Sequence, residues 1–262
     1  MSRPRLLLIP EFTELTWTIK PQLAEWAEVA SYDPPGVGAE PLPKGDVASF
    51  TREVIANRGV EELDRLGWDR FFLLADGWAI PVAVSIAERR PGSILGMALG
   101  HAAVSISRHG ERPTMSAAVH DALTQLMHRD SEAFLRHGIA QSTAGSVSEQ
   151  LAERMVERFP NELLMTGWEA VTAEDEQFGN VLRGLDLPFL LAKHEGCLMS
   201  TDEGFEDALK ALPDARAISV PAAPSTSEDF AVAVREFCEE VSRRLATGHV
   251  DRSAPARRPP RR

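Results

Sequence analysis

The chain has 262 residues, 44% hydrophobic and 26% charged, and a formal net charge of −11. That length supports one large domain with a substantial core, and the charge argues against a nucleic-acid partner, because backbone phosphates would be repelled by most of the surface. Cys197 and Cys238 are too few for a disulfide framework and lack zinc-site spacing. No apolar run approaches the roughly 20 residues of a membrane span, and the run after Arg5 is too short for a signal peptide. A soluble cytoplasmic protein without membrane or nucleic-acid partners is the expectation, with homo-oligomerisation left open.

In chain order, short apolar runs alternate with longer segments of helical period, the pattern of strand and crossover helix in a parallel sheet. Strands are expected at 5–9, 28–32, 70–75, 93–99, 189–193 and 215–220. Helices are expected near 17–27, 46–66, 78–90, 201–211 and 226–246. The interval 108–187 breaks this rhythm, with several helix-period stretches and no strand. Its helix starts are signalled by Ser116, by Ser131, and by Ser146 with Glu149 three residues on, a capping box. The fold class is therefore α/β, a doubly wound, mostly parallel sheet with a helical insertion. The expected organisation is a core of 1–107 and 188–248, a helical lid of 108–187, and a disordered Arg/Pro-rich tail of 249–262. That tail sets five arginines against Asp251, so the remainder of the chain is more acidic than the whole.

Three segments carry a family resemblance. Leu7-Leu8-Ile9-Pro10-Glu11-Phe12, followed by Asp33-Pro34-Pro35-Gly36-Val37-Gly38, resembles the first strand, oxyanion loop and D-x-P-G-x-G turn of α/β-hydrolases. Leu73-Leu74-Ala75-Asp76-Gly77-Trp78-Ala79-Ile80-Pro81-Val82-Ala83 is similar to their nucleophile elbow, in the form found in epoxide hydrolases and haloalkane dehalogenases. The stretch 188–201 with Leu212-Pro213-Asp214-Ala215 resembles the acid-bearing strand, helix and next strand. The resemblance spans nearly the whole folded chain and implies the α/β-hydrolase fold. The family's leading antiparallel strands are expected to be absent, since Met1 lies only a few residues before the first strand.

The same resemblance implies a degenerate catalytic triad. Aligned on Trp78, Pro81, Val82 and Ala83, the nucleophile position falls on Gly77, which has no side chain to form a covalent intermediate. The acid position falls on Cys197, and a thiol does not orient an imidazolium as a carboxylate does. The histidine position falls on Ser225, whose plain reading is a capping box with Glu228. Asp76 is one position away from an attacking aspartate, and its plain reading is a turn or helix-capping carboxylate. In the oxyanion loop Pro10-Glu11 stands where His-Gly is common, while backbone N–H groups of Phe12 and Trp78 remain a candidate donor pair for an anion.

A rewired set is readable as well. His101 and His194 end consecutive core strands and with Asp76 and Cys197 supply the parts of a new nucleophilic or acid–base site. The expected ligand pocket comprises Phe12, Trp78, His101, Trp168 and His194. Apolar residues of 108–187, such as Leu123, Met127, Phe134, Leu163 and Leu164, line such a pocket or, more ordinarily, pack the insertion's own core. No cofactor and no metal is expected.

Losing a nucleophile or base alone costs about 10⁶ in kcat and leaves roughly 10³ to 10⁴ over water. The leading expectation is thus a non-hydrolytic homologue that binds a small apolar or carbonyl-containing molecule or acts as a regulatory partner. The alternative is an enzyme with a rewired site, a lyase, cyclase, isomerase or atypical hydrolase, whose base is His101, His194, Asp76 or Glu11. A hydrolase whose triad lies elsewhere and a purely structural subunit stay open too.

Overall fold

Six runs form strands: β1 (Arg5–Leu8), β2 (Glu28–Ser31), β3 (Phe71–Asp76), β4 (Ile94–Gly100), β5 (Phe189–His194) and β6 (Ala215–Val220). The computed structural model describes residues 3–42, 45–77, 79–101, 117–142, 147–164, 166, 181–195, 202–212 and 214–247, with 117–120 and 141–142 as backbone only. All strand pairs are parallel, and the sheet order is β2-β1-β3-β4-β5-β6. The chain moves outward from β1 to β2 and then crosses back to place β3 on the other side of β1. That reversal opens a crevice between the carboxyl ends of β1 and β3, where ligands bind in doubly wound sheets.

Strand side chains alternate between two cores, as a period of two demands. Leu7, Ile9, Phe71, Leu73 and Ala75 face one layer, formed by α2 (Arg52–Leu66), α3 (Ala79–Arg89) and α7 (Asp202–Ala211). Leu6, Leu8, Phe72 and Leu74 face the other, formed by α1 (Lys20–Ala24) and α8 (Glu228–Ala246). Leu6, Leu7 and Leu8 are all fully buried, each worth about 1.5–3 kcal/mol by burial.

Between β4 and β5 lie α4 (Ala117–Arg129), α5 (Ser131–Ser142) and α6 (Glu149–Arg158). Met127, Phe134, Leu135, Ile139, Met155, Leu163 and Leu164 form a third apolar cluster, and Phe12, Val37 and Phe50 enter it from the core loops. The ring of Phe12 meets that of Phe159 edge to face at 6.0 Å.

Helix starts differ from the expected caps. Asp130, not Ser131, caps α5, its Oδ1 accepting from Ala133 N at 2.9 Å; a carboxylate at a helix N-terminus also gains from the helix dipole. Ser148 caps α6, its side chain accepting from Leu151 N, whereas Ser146 and Ser116 lie outside the described residues. Ser227, not Ser225, caps α8 by accepting from Phe230 N. Ser225 belongs instead to a 3-10 turn, Pro224–Thr226.

The inserted helices are tied to the sheet by an ionic junction. Arg158, at the end of α6, donates from Nε to Asp33 Oδ2 at 2.8 Å and also contacts Asp33 through Nη2. Asp33 Oδ1 accepts from Glu14 N at 2.9 Å, and Gly38 N donates to Arg158 O at 2.9 Å. The D-x-P-G turn is thus held to α6 through its buried carboxylate. Among the described residues no helix is long and apolar enough to cross a membrane.

Candidate functional site

The carboxyl ends of β3, β4 and β5 and the turn after β6 bring together Asp76, His101, His194 and Ser225, all buried. Asp76 and Gly100 stand opposite each other in the β3–β4 register. A Cβ on Gly100 would collide with the Asp76 carboxylate, so glycine there lets the carboxylate lean across to the next residue. That residue is His101, whose Nδ1 donates to Asp76 Oδ1 at 2.6 Å. His101 has a φ of 52°, the left-handed region that ordinary residues avoid at a cost of about 1–2 kcal/mol. Such strain persists where surrounding structure holds it and gathers at functional sites. Here the backbone N of His101 donates to Ala192 O at 3.1 Å, while its ring is fixed by Asp76.

The other carboxylate oxygen of Asp76 accepts from the backbone N of Ser225 at 3.2 Å. The expected capping role of Asp76 toward α3 is therefore corrected: its oxygens reach His101 and the turn after β6. A carboxylate engaged on both oxygens orients a base better than it attacks. This also accounts for Ser225, which sits beside the elbow with its hydroxyl buried and without a hydrogen-bond partner among the described residues.

His194 meets His101 edge to face, ring centroids 5.9 Å apart. Burial, reinforced by the repulsion that a protonated His101 would exert and opposed by Asp76 and Glu195, holds its pKa below the ordinary histidine value. His194 is thus neutral near pH 7, and its Nδ1 is buried without a partner among the described residues. A neutral imidazole has one bare nitrogen that accepts a hydrogen bond.

Gly77 follows β3 with a φ of 47°, and its N donates to Gly100 O at 3.2 Å. The backbone at this position has the left-handed turn that the elbow resemblance implies, without a side chain upon it. The gap is taken by Glu11, from the loop after β1: a Cβ on Gly77 would lie 2.5 Å from Glu11 Oε1. Phe12, the next residue, turns its ring into the cluster of the inserted helices. Trp78, Trp168 and Cys197 lie outside the described residues. Among the described residues no group of three or more His, Cys, Asp and Glu side chains is placed to hold a metal ion.

The sequence pointed to Asp76, His101 and His194, with Cys197, as parts of one rewired site but gave no distances; the structure joins the first two by a hydrogen bond and His101 to His194 by ring contact. Arg158 carried no sequence signal, because its partner Asp33 is 125 residues away.

No protein-family model and no curated protein sequence matches the chain. Solved structures do match over almost its whole length. A hydrolase from Oleispira antarctica superposes with a TM-score of 0.75 at 14% identity, covering 91% of this chain and 92% of that one. A loop variant of a haloalkane dehalogenase from Bradyrhizobium elkanii gives 0.72 at 17% identity, covering 95% and 93%. A bromoperoxidase from Bacillus anthracis gives 0.72 at 14% identity, covering 94% and 92%. With its parallel sheet, its turn at Gly77 and these neighbours, the chain adopts the α/β-hydrolase fold.

Proposed function

We propose that this chain binds a small apolar molecule at the carboxyl edge of its sheet and transfers a proton there through His101, without forming a covalent intermediate. The observation that carries this reading is the 2.6 Å bond from His101 Nδ1 to Asp76 Oδ1. It fixes the tautomer, so that Nε2 is the nitrogen that takes a proton from a ligand and returns it. Asp76 stabilises the imidazolium that forms. Glycine at position 77 offers no nucleophile, which favours lyase or isomerase chemistry over ester hydrolysis. The helices α4 to α6, packed on Phe12 beside Glu11, support a lid role for 108–187. A free, buried Cys238 is consistent with a cytoplasmic location.

A second reading, a non-hydrolytic binding or regulatory homologue, is favoured by the Glu11 carboxylate seated over Gly77. There it opposes the negative charge that acyl transfer develops.

The test is turnover across a panel of small ketones, lactones and aryl esters, with α-proton exchange in deuterated water read by NMR. Wild type, His101→Gln and Asp76→Asn are compared. Proton exchange that rises with pH and is lost in His101→Gln supports the first reading. Exchange equal to buffer in every sample leaves the binding homologue. Ester turnover indifferent to both substitutions contradicts both.

A further inference from the structure

His194 closes β5 beside the Asp76–His101 pair, its ring edge to face with that of His101, centroids 5.9 Å apart. It is only 8% exposed, and its Nδ1 is buried without a hydrogen-bond partner among the described residues. Ser225 borders the other member of the pair: its backbone N donates to Asp76 Oδ2 at 3.2 Å, the residue is 1% exposed, and its Oγ is buried in the same condition. Buried polar atoms are nearly always satisfied. Two orphans, one against each member of a hydrogen-bonded pair, point to a polar group supplied from outside.

The chemistry of His194 narrows that group. Its ring is neutral near pH 7, so a charged ligand gains no ion pair from it. On a neutral imidazole Nδ1 is a bare acceptor or an N–H donor according to the tautomer. A carbonyl oxygen serves only the donor and an ammonium only the acceptor, whereas a hydroxyl serves both. The Ser225 hydroxyl has the same double capacity and sets no different demand.

The contact between the rings sets where that hydroxyl lies. His101 takes a proton from carbon, and the group that meets His194 stands close to that carbon. An α-hydroxy ketone meets both demands on one atom, since its carbinol carbon carries the acidic proton and the hydroxyl.

We propose that His194 is the specificity residue of this site, holding the hydroxyl of an α-hydroxy ketone while His101 works on the carbon that bears it; the assignment rests on the His101 reading above and names its substrate class. The step is balanced without a co-reactant. The carbinol C–H bond breaks, its proton passes to His101, and its electron pair moves to the carbonyl oxygen as an enediolate. Return of the proton to carbon restores the ketone.

The experiment is isothermal titration of the full chain at pH 7 with 2-hydroxyacetophenone and propiophenone, which differ only by hydroxyl in place of methyl. It is repeated with His194→Phe, which keeps a ring and removes both nitrogens. A hydrogen bond to the ligand hydroxyl predicts that wild type binds 2-hydroxyacetophenone about fivefold or more tightly, although propiophenone is the more apolar of the two. His194→Phe should bring the two to parity or favour propiophenone. Equal or tighter binding of propiophenone by wild type, binding of neither probe, or an unchanged preference in His194→Phe overturns the proposal. The wild-type comparison needs no variant, so a folding defect in His194→Phe cannot hide the result. Exchange of the carbinol proton in deuterated water, read by NMR, separates this assignment from the reading beneath it. Hydroxyl preference without exchange above buffer contradicts only the His101 reading, and exchange without preference contradicts only the role of His194.

Discussion

Asp76 and His101 stand at the ends of neighbouring parallel strands and share a 2.6 Å hydrogen bond made possible by the absent side chain at Gly100. Three residues thus act as one unit, and Gly100→Ala should break it from outside. The new methyl group collides with the Asp76 carboxylate, and overpacking of this kind costs about 1–3 kcal/mol. Asp76→Ala should cost a similar amount, since it leaves His101 Nδ1 and Ser225 N buried without their acceptor. Urea unfolding of both variants checks this; a loss under about 0.5 kcal/mol in either contradicts the geometry.

Glu11 and Gly77 compete for one volume. Gly77→Ala should therefore be destabilising twice over, by left-handed strain of about 1–2 kcal/mol and by displacing Glu11. In a Glu11→Gly background only the strain remains. A double-mutant cycle by urea unfolding should return a coupling of about 0.5–3 kcal/mol, with Glu11→Gly relieving the cost of Gly77→Ala. Additive effects would mean that Glu11 does not occupy that place.

His194 makes stability depend on pH in a defined direction. Its folded pKa lies below the ordinary value of 6.5, because burial, and repulsion from His101 when that ring is protonated, disfavour the imidazolium. Below that value the unfolded chain binds the proton more readily than the folded one, so stability is retained above about pH 6.5 and lost as pH falls toward the folded pKa. His194→Gln should flatten this part of the profile. The check is Tm between pH 7.5 and pH 5 for both proteins; an equal acid loss in the variant removes His194 as a cause.

Arg158→Met should loosen α6 from the D-x-P-G turn while keeping the aliphatic stem. The buried Asp33 carboxylate then loses its guanidinium, and a hydrogen bond to a charged group is worth about 1.5–3 kcal/mol; the half-exposed arginine places the expected loss at the lower end. Amide exchange should accelerate in α6 before it does in β3. Uniform acceleration across both elements would show that the junction does not hold α6 locally.

Much of the fold was legible in the sequence. Runs such as Leu6-Leu7-Leu8 and Phe71-Phe72-Leu73-Leu74 read as strands because a doubly covered sheet needs apolar side chains on both faces. The Asp76–Gly77 turn and the histidines at 101 and 194 were visible as residues at strand ends. Their joining was not, because it depends on the Asp76–Gly100 register and on the room that Gly100 leaves. Ser225 was misread as a helix cap because Ser227, two residues on, offers the same chemistry with better geometry. Glu11 was seen as a departure from the oxyanion loop, but its seat over Gly77 is a contact between the loop after β1 and the turn after β3 that no local pattern encodes. The same holds for Arg158 and Asp33.

A site that works without a covalent nucleophile leaves a fluorophosphonate unreacted, and intact-protein mass spectrometry of the purified chain treated with that reagent reads this outcome. The protein mass should stay unchanged in wild type and in His101→Gln alike. A single stoichiometric adduct in wild type, absent in His101→Gln, would instead reveal a covalent nucleophile activated by that histidine.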